Sequence, residues 1–342
     1  MLNTIWFALW GLLWAVYFML DGFDFGAGIL HPFVAKNDIE RRIVINTLGP
    51  VWDGNEVWLI TAGGVTFAAF PKTYALMFSY LYTPLFFILF SLIWRGVSFE
   101  FRGKIHSEGW AKFWDFIIFL FSLLPALLFG VAFGNIFEGL PMDANGYHGT
   151  LLSLLNPYGL LTGILFVLLF IEHGALWLAI KASGNVAERS KAVAAKNWPV
   201  LLIVAVLFLI YTAFATKLYD NYLAYPVWFV VPLIAVISLL LIRVFVAKQA
   251  FVKAFFASCV TIVTVVFTGI IGLYPNLIPS SIDPKYSLTA FNSASGPYTL
   301  KVMLIVVIIF VPIVIAYQIW TYNKFKHPVT EEELMDKEAE SY

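Results

Sequence analysis

Residues 5–30 read IWFALWGLLWAVYFMLDGFDFGAGIL, an apolar run whose only charges are Asp21 and Asp24. A helix rising ~1.5 Å per residue crosses ~30 Å of hydrocarbon in about 20 residues, so this run is long enough to span a bilayer. A carboxyl near the bilayer centre costs roughly 2.5–3.5 kcal/mol on insertion scales, and two of them on one span call for a reason. Intramembrane acids ordinarily face a protein interior or a watery path, and often carry protons or ions. The next apolar run, 50–70, repeats the anomaly with Asp53 and Glu56 near its start.

The rest of the chain agrees with a membrane protein. Of 342 residues, 61% are hydrophobic and 12% charged, where a soluble domain would be about a quarter charged. Phe and Trp, 33 and 12 in number, suit lipid-facing surface and interfacial belts. The zero formal charge argues against nucleic acid as a partner. The single cysteine, Cys259, rules out an intrachain disulfide and a thiolate metal site. MLNTIWFALW at the start lacks a basic region and reads as part of the first span, not as a cleaved signal.

Apolar runs predict an all-α polytopic protein of about nine transmembrane helices: 5–30, 50–70, 75–95, 113–136, 157–181, 199–216, 226–246, 254–274 and 299–323. Pro50, Pro157 and Pro199 suit first-turn positions, and Pro32, Pro71 and Pro275 suit stops. Pro84, Pro125, Pro232 and Pro312 fall inside spans and predict kinks. Residues 1–327 form one integral-membrane domain, with an acidic, mobile cytoplasmic tail over 328–342 in which Thr330 and Glu333 can open a short helix. A faint echo between 1–150 and 151–285 suggests a parallel repeat, giving two four-helix bundles plus one peripheral helix. The outer loop 275–298 is free to pack over the bundle or against a partner.

Sorting Lys and Arg by side puts seventeen on one face, including Lys36, Arg41, Arg42, Arg95, Arg102, Lys104 and Lys112, and four (Lys72, Lys217, Lys285, Lys301) on the other. The positive-inside rule then sets the N-terminus outside and the C-terminus in the cytoplasm. All four acids fall in the cytoplasmic part of the membrane. Asp21 and Asp24, and again Asp53 and Glu56, lie i, i+3 and share a helix face.

Plainer readings stand beside this one. Asp21 and Asp24 could cap a helix that ends early, and the free amides of a helix N-terminus would account for Asp53. Neither covers Asn55 and Glu56 a turn further in, and close carboxylates cannot all stay ionised in a low dielectric. Gly22, Gly26 and Gly28 allow close backbone approach, and Gly63 with Gly64 suggests tight packing along the second span. Glu172 and His173 form a third intramembrane polar spot, most simply a satisfied structural pair. Asp38 to Arg42 reads as a solvated charge cluster. No spacing of histidines, phosphate-loop glycines or nucleophile constellation points to a metal, haem or nucleotide site.

DGFDFGAGIL (21–30), ERRIVINTLGPVWDGNEVWLITAGG (40–64), FEFRGK (99–104), VAFGNIFEG (131–139), LLNPYGLL (154–161), YPNLIPSS (274–281) and SLTAFNSASGPYTLKVM (287–303) resemble, in order, subunit II of the cytochrome bd quinol oxidases. The resemblance implies a bundle of about nine helices in the cell membrane. It also implies a heterodimer with a haem-bearing subunit I, which carries two haems b and one haem d, and in some members a small single-span subunit. No haem is expected on this chain. The complex it implies oxidises quinol, reduces O2 to water and draws protons from the cytoplasm. Asp24 and Asp53 match the family's proton-path acids, with Asp21 and Glu56 as further members of the path, and Glu56 stands where some members carry Gln. Trp58 matches a position near an oxygen-access route. Glu172 and His173 match no motif of the family. The alternative from the residues alone is a proton- or cation-coupled secondary transporter, which mid-membrane acids and a repeat would also suit.

Overall fold

The computed structural model describes residues 1–335, so the last seven residues of the tail lie outside the described part. Thirteen α-helices account for most of the described chain. They are α1 (Leu2–Val34), α2 (Asp38–Leu48), α3 (Trp52–Ala69), α4 (Pro71–Tyr80), α5 (Tyr82–Phe101), α6 (Glu108–Glu138) and α7 (Pro157–Lys181). They continue as α8 (Gly184–Ala215), α9 (Leu218–Ala224), α10 (Val230–Ala247), α11 (Phe251–Leu273), α12 (Pro297–Lys324) and α13 (Glu331–Met335). Two short antiparallel hairpins, at 142–147 and 276–289, sit in the connections that follow α6 and α11.

Eight helices are long and apolar enough to cross a membrane. They cover eight of the nine expected spans. The ninth, 50–70, is α3, whose 18 residues begin with Asp53, Asn55 and Glu56, and these polar turns hold its hydropathy below that of the others. Several expectations differ: Pro32 does not stop α1 but lies inside it, and Pro232 sits in the first turn of α10. The 75–95 run breaks at Leu81 into α4 and α5, so Pro84 sits in a first turn and kinks nothing. Pro199 is not at a helix start, because α8 runs through it from Gly184. The Ala195 carbonyl, which would have bonded the amide that proline lacks, instead accepts Arg243 Nη1 at 3.3 Å.

Helix α1 is the hub. It packs against α3, α6, α7 and α11, and its buried face carries Trp10, Trp14, Tyr17 and Phe18. Phe18 meets Phe129, Phe133, Phe166 and Phe170 at ring-centroid distances of 5.1–6.0 Å, mostly edge-on, the geometry that the ring quadrupoles favour. Lower on the same face, α1 crosses α7 where Gly26 meets Gly174. A Cβ on Gly26 would overlap the Phe170 carbonyl, and one on Gly174 would overlap the Gly26 backbone. Only glycine at both positions permits this crossing. The expectation of tight packing at Gly63 and Gly64 fails within this chain, since a Cβ at either meets nothing within 4 Å among the described residues.

Helix α12 leans on α1 and α3 with only Leu300 buried, which makes it the peripheral helix. The 275–298 loop folds over the bundle. It joins the α6 exit through Leu140 N–H to Pro279 O at 2.9 Å and joins α3 through Ser295 N–H to Ala69 O at 2.9 Å. The start of the tail is docked rather than mobile. Val329 N–H donates to Lys181 O at 2.8 Å, Thr330 Oγ1 caps α13 by accepting from Glu333 N–H at 3.2 Å, and Leu334 is buried against α2.

Candidate functional site: a buried acid cluster between α1, α3 and α5

Asp21 and Asp24 sit on the buried side of α1 with no exposed surface. The residue that answers them is Arg95, which the sequence reading counted among loop charges. It lies inside α5, equally inaccessible, and its side chain is the largest fully buried one after Trp6. Its Nη2 reaches Asp21 Oδ1 at 2.6 Å and Glu56 Oε1 at 2.9 Å, and its guanidinium lies 4.2 Å over the Phe25 ring. One cation thus serves acids from two helices. Taking a lone guanidinium out of water costs several kcal/mol, and the two carboxylates and the ring face offset that.

Asp24 takes a different partner. Asn55 Nδ2 donates to Asp24 Oδ2 at 2.7 Å and to the Leu20 carbonyl at 3.3 Å, and Tyr322 of α12 donates its hydroxyl to Asn55 Oδ1 at 2.8 Å. Asn55 therefore links α1 to α12 through α3. Two carboxyls (Asp21, Glu56) share one guanidinium while Asp24 relies on Asn55, and polar capacity is left over: Asp21 Oδ2, Asp24 Oδ1, Arg95 Nε and Nη1 and Tyr17 Oη are sealed from solvent without a partner among the described residues. The site has spare acceptors and donors with which to hold protons or water.

Of the four acids expected to act together, Asp21, Asp24 and Glu56 converge. Asp53 is exposed on α3 and makes no hydrogen bond to them. Glu56 is intermediate, with 21% of its side chain accessible. Trp58 is buried, and its Nε1–H donates to Gln318 Oε1 at 3.0 Å. Its ring lines an apolar cavity of about 600 Å³ between α1, α3, α7, α11 and α12, shared with Met19, Phe23, Trp177 and Phe255.

Two further polar groups complete the picture. Asp38 to Arg42 is not simply solvated. Glu40 is buried and takes Arg189 Nη1 at 2.7 Å, and Arg41 Nη1 takes Asp115 Oδ2 at 2.7 Å. Asp115, which sequence reasoning passed over, also receives Arg102 Nε at 2.6 Å and has His31 Nε2 at 3.5 Å. Its signal was an unpaired acid near the start of a long apolar helix. Glu172 accepts from Asn197 Nδ2 at 2.9 Å. His173 has both ring nitrogens engaged, Nδ1 with Ser258 Oγ at 2.6 Å and Nε2 with the Met19 carbonyl at 2.9 Å, so neither is available to ligate iron. Among the described residues no three of His, Cys, Asp and Glu gather as a metal site.

Comparison with known proteins supplies the context. Residues 2–325 match the family described as cytochrome bd terminal oxidase subunit II. The chain is 37% identical over 335 residues to the cytochrome bd ubiquinol oxidase subunit 2 of Bacillus subtilis (strain 168), covering 98% of each. It is 35% identical over 365 residues to the cytochrome bd-I ubiquinol oxidase subunit 2 of Escherichia coli (strain K12), covering 97% of this chain and 96% of that one. Its fold is similar to that of a chain in the structure of the bd oxidase from Geobacillus thermodenitrificans, at 19% identity and a TM-score of 0.78, covering 95% of this chain and 98% of that one.

Proposed function

Since the chain belongs to the cytochrome bd terminal oxidase subunit II family, and is therefore a multi-pass cell-membrane subunit of a terminal quinol oxidase, we propose that its buried acid cluster carries protons to the reaction. Family membership does not favour the transporter reading. Quinol oxidation and O2 reduction are the work of haem groups that we assign to the partner, subunit I. Both ring nitrogens of His173 are engaged, with Ser258 and with the Met19 carbonyl.

In this reading Asp53, exposed on α3, collects a proton from the cytoplasmic side. Glu56, one turn further on the same helix and partly accessible, receives it. Arg95 holds the Glu56 and Asp21 carboxylates within one hydrogen-bonded group, so a proton arriving at Glu56 Oε1 alters the charge felt at Asp21 Oδ1. Asp24, fixed by Asn55, offers the unpartnered Oδ1 as the next acceptor. Trp58 has a separate task. Its ring lines an apolar cavity into which O2 partitions, and its N–H is satisfied by Gln318, which lines the same cavity.

The observation that carries this reading is the sharing of one guanidinium by the Asp21 and Glu56 carboxyls, with Asp24 one turn further along α1 and unpartnered oxygens left over. Asp53→Asn in the assembled oxidase tests it. O2 consumption and charge separation should both fall severely while assembly is retained. Unchanged turnover and charge separation would end the relay claim, and failure to assemble would make the acid structural.

A further inference from the structure

At the end of the bundle where α1 and α5 finish and α2 and α6 begin, a cavity of about 630 Å³ opens outward. Its floor is built. Asp115 holds two guanidinium groups side by side, Arg41 through Nη1 at 2.7 Å and Arg102 through Nε at 2.6 Å, and Arg102 is itself only 5% exposed. Arg102 Nη2 turns to Asp38 at 2.8 Å. Arg41 Nη2 and Arg102 Nη1 donate to nothing among the described residues, and neither is sealed inside the protein. Two uncommitted N–H groups are thus left on immobilised arginines that line the cavity.

The rim adds to this. Lys36, Arg42 and Lys112 line it with the two arginines, against the acids Asp38 and Glu108, so the lining stays net positive even with Asp115 beneath it. Glu108 is taken up by Lys112 at 2.7 Å on the outer edge. The 31-residue helix α6 starts here, and Ser107, its N-cap residue, makes no side-chain cap bond, so the first amides of α6 and the Ser107 hydroxyl are uncommitted. A helix N-terminus and paired guanidinium groups are each suited to phosphate oxygens, and here they converge. Beside the cavity, Phe101, Ile105 and Phe113 are 47%, 50% and 47% exposed, next to Trp110 and Trp114, which places aromatic and apolar surface at the level of lipid headgroups.

We propose that this cavity binds a phosphate-bearing anion of the kind that an anionic phospholipid presents. The phosphate accepts from Arg41 Nη2, Arg102 Nη1 and the start of α6. Lys36 and Lys112 close over it, and acyl chains run along Phe101, Ile105 and Phe113. Free phosphate carries the same chemistry without the chains. The site is independent of the proton relay.

The test uses the purified assembled oxidase, delipidated in a neutral detergent. Cardiolipin, phosphatidylcholine and inorganic pyrophosphate are titrated separately, with thermal midpoint and native mass spectrometry as readouts. The variant is K36Q/K112Q, which leaves the Arg41–Asp115–Arg102 floor intact. Wild type should gain stability and a bound adduct with cardiolipin but not with phosphatidylcholine, and the variant should need roughly tenfold more cardiolipin for the same gain. If pyrophosphate stabilises wild type and not the variant, the phosphate source is soluble; if cardiolipin alone does so, it is a lipid headgroup. Equal responses of wild type and variant to both anions, or phosphatidylcholine acting as well as cardiolipin, would overturn the proposal.

Discussion

Arg95 Nη2 lies 2.6 Å from Asp21 Oδ1, and neither side chain has any surface exposed to solvent. The pair ties α5 to α1, and the same nitrogen reaches Glu56 on α3. Removing the cation would strand two carboxylates in low dielectric, where breaking a buried pair costs ~3–5 kcal/mol. Arg95→Met should sharply lower the thermal midpoint and the membrane content of the assembled oxidase. Arg95→Lys should recover part of both, since an ammonium keeps the charge without the planar fork. D21N/R95M should be more stable than R95M alone, because fewer unpaired charges remain. An R95M complex as stable as wild type would contradict the assignment.

Asn55 is the polar link that sets Asp24. Asn55→Leu removes the donor to Asp24 Oδ2 and the acceptor for the Tyr322 hydroxyl, at a cost of ~1–3 kcal/mol for the groups left unsatisfied. Turnover and proton uptake should fall several-fold more than haem content. Tyr322→Phe, which loses one hydrogen bond, should leave O2 consumption near normal. Parallel oxygen-electrode and haem-content measurements on the two variants check the ordering.

The α1–α7 crossing makes a contrast between glycines. Gly26→Ala forces a methyl group into the Phe170 carbonyl and should destabilise by at least ~2 kcal/mol, since backbone cannot move aside as a side chain can. Gly63→Ala meets no atom of this chain within 4 Å and removes a helix-interior glycine, so it should be neutral or stabilising by up to ~1 kcal/mol unless the partner subunit packs there. Thermal unfolding of the isolated subunit against the assembled complex separates the two cases.

The Glu40–Arg189 tie predicts a pH effect. Burial pushes the Glu40 carboxyl up, but hydrogen bonds from Arg189 and the Lys36 amide outweigh it and hold the carboxyl below its ordinary range. A depressed carboxyl contributes stability at pH values above its unfolded value, and that contribution is lost as pH falls through the folded value. Glu40→Gln should therefore be less stable than wild type at neutral pH. The two should converge as the medium is acidified below the usual glutamate range. Thermal midpoints measured from neutral pH downward would show parallel curves if Glu40 plays no such part.

Much of this arrangement was legible in the sequence. Helix number follows from apolar run length, and the acids stand out because nothing else on the first span is charged. Arg95 was misread for a physical reason. Counting Lys and Arg by side assumes that each lies in a loop, and an arginine six residues inside a helix end looks the same as one outside it. Tyr322 was invisible because its partner lies 267 residues away, a distance that local pattern cannot bridge, and the Arg41 that shares Asp115 lies 74 residues from it. Asn55 was noticed as unexplained, and its explanation needed the fold. The passage of α8 through Pro199 escaped because it depends on who satisfies the Ala195 carbonyl, which hydropathy does not encode.

The contact between Gly26 and Gly174 has a mechanical meaning. Asp24 stands two residues before one of these glycines and Glu172 two before the other, so two backbones in direct touch fix how far apart these acids sit. Helices α1 and α7 are thereby joined backbone to backbone as a single spine. Whatever gating the subunit performs is left to the elements around the spine. On that frame, Glu56, Arg95 and Tyr322 reach the acid cluster from α3, α5 and α12, the three helices outside the α1–α7 pair.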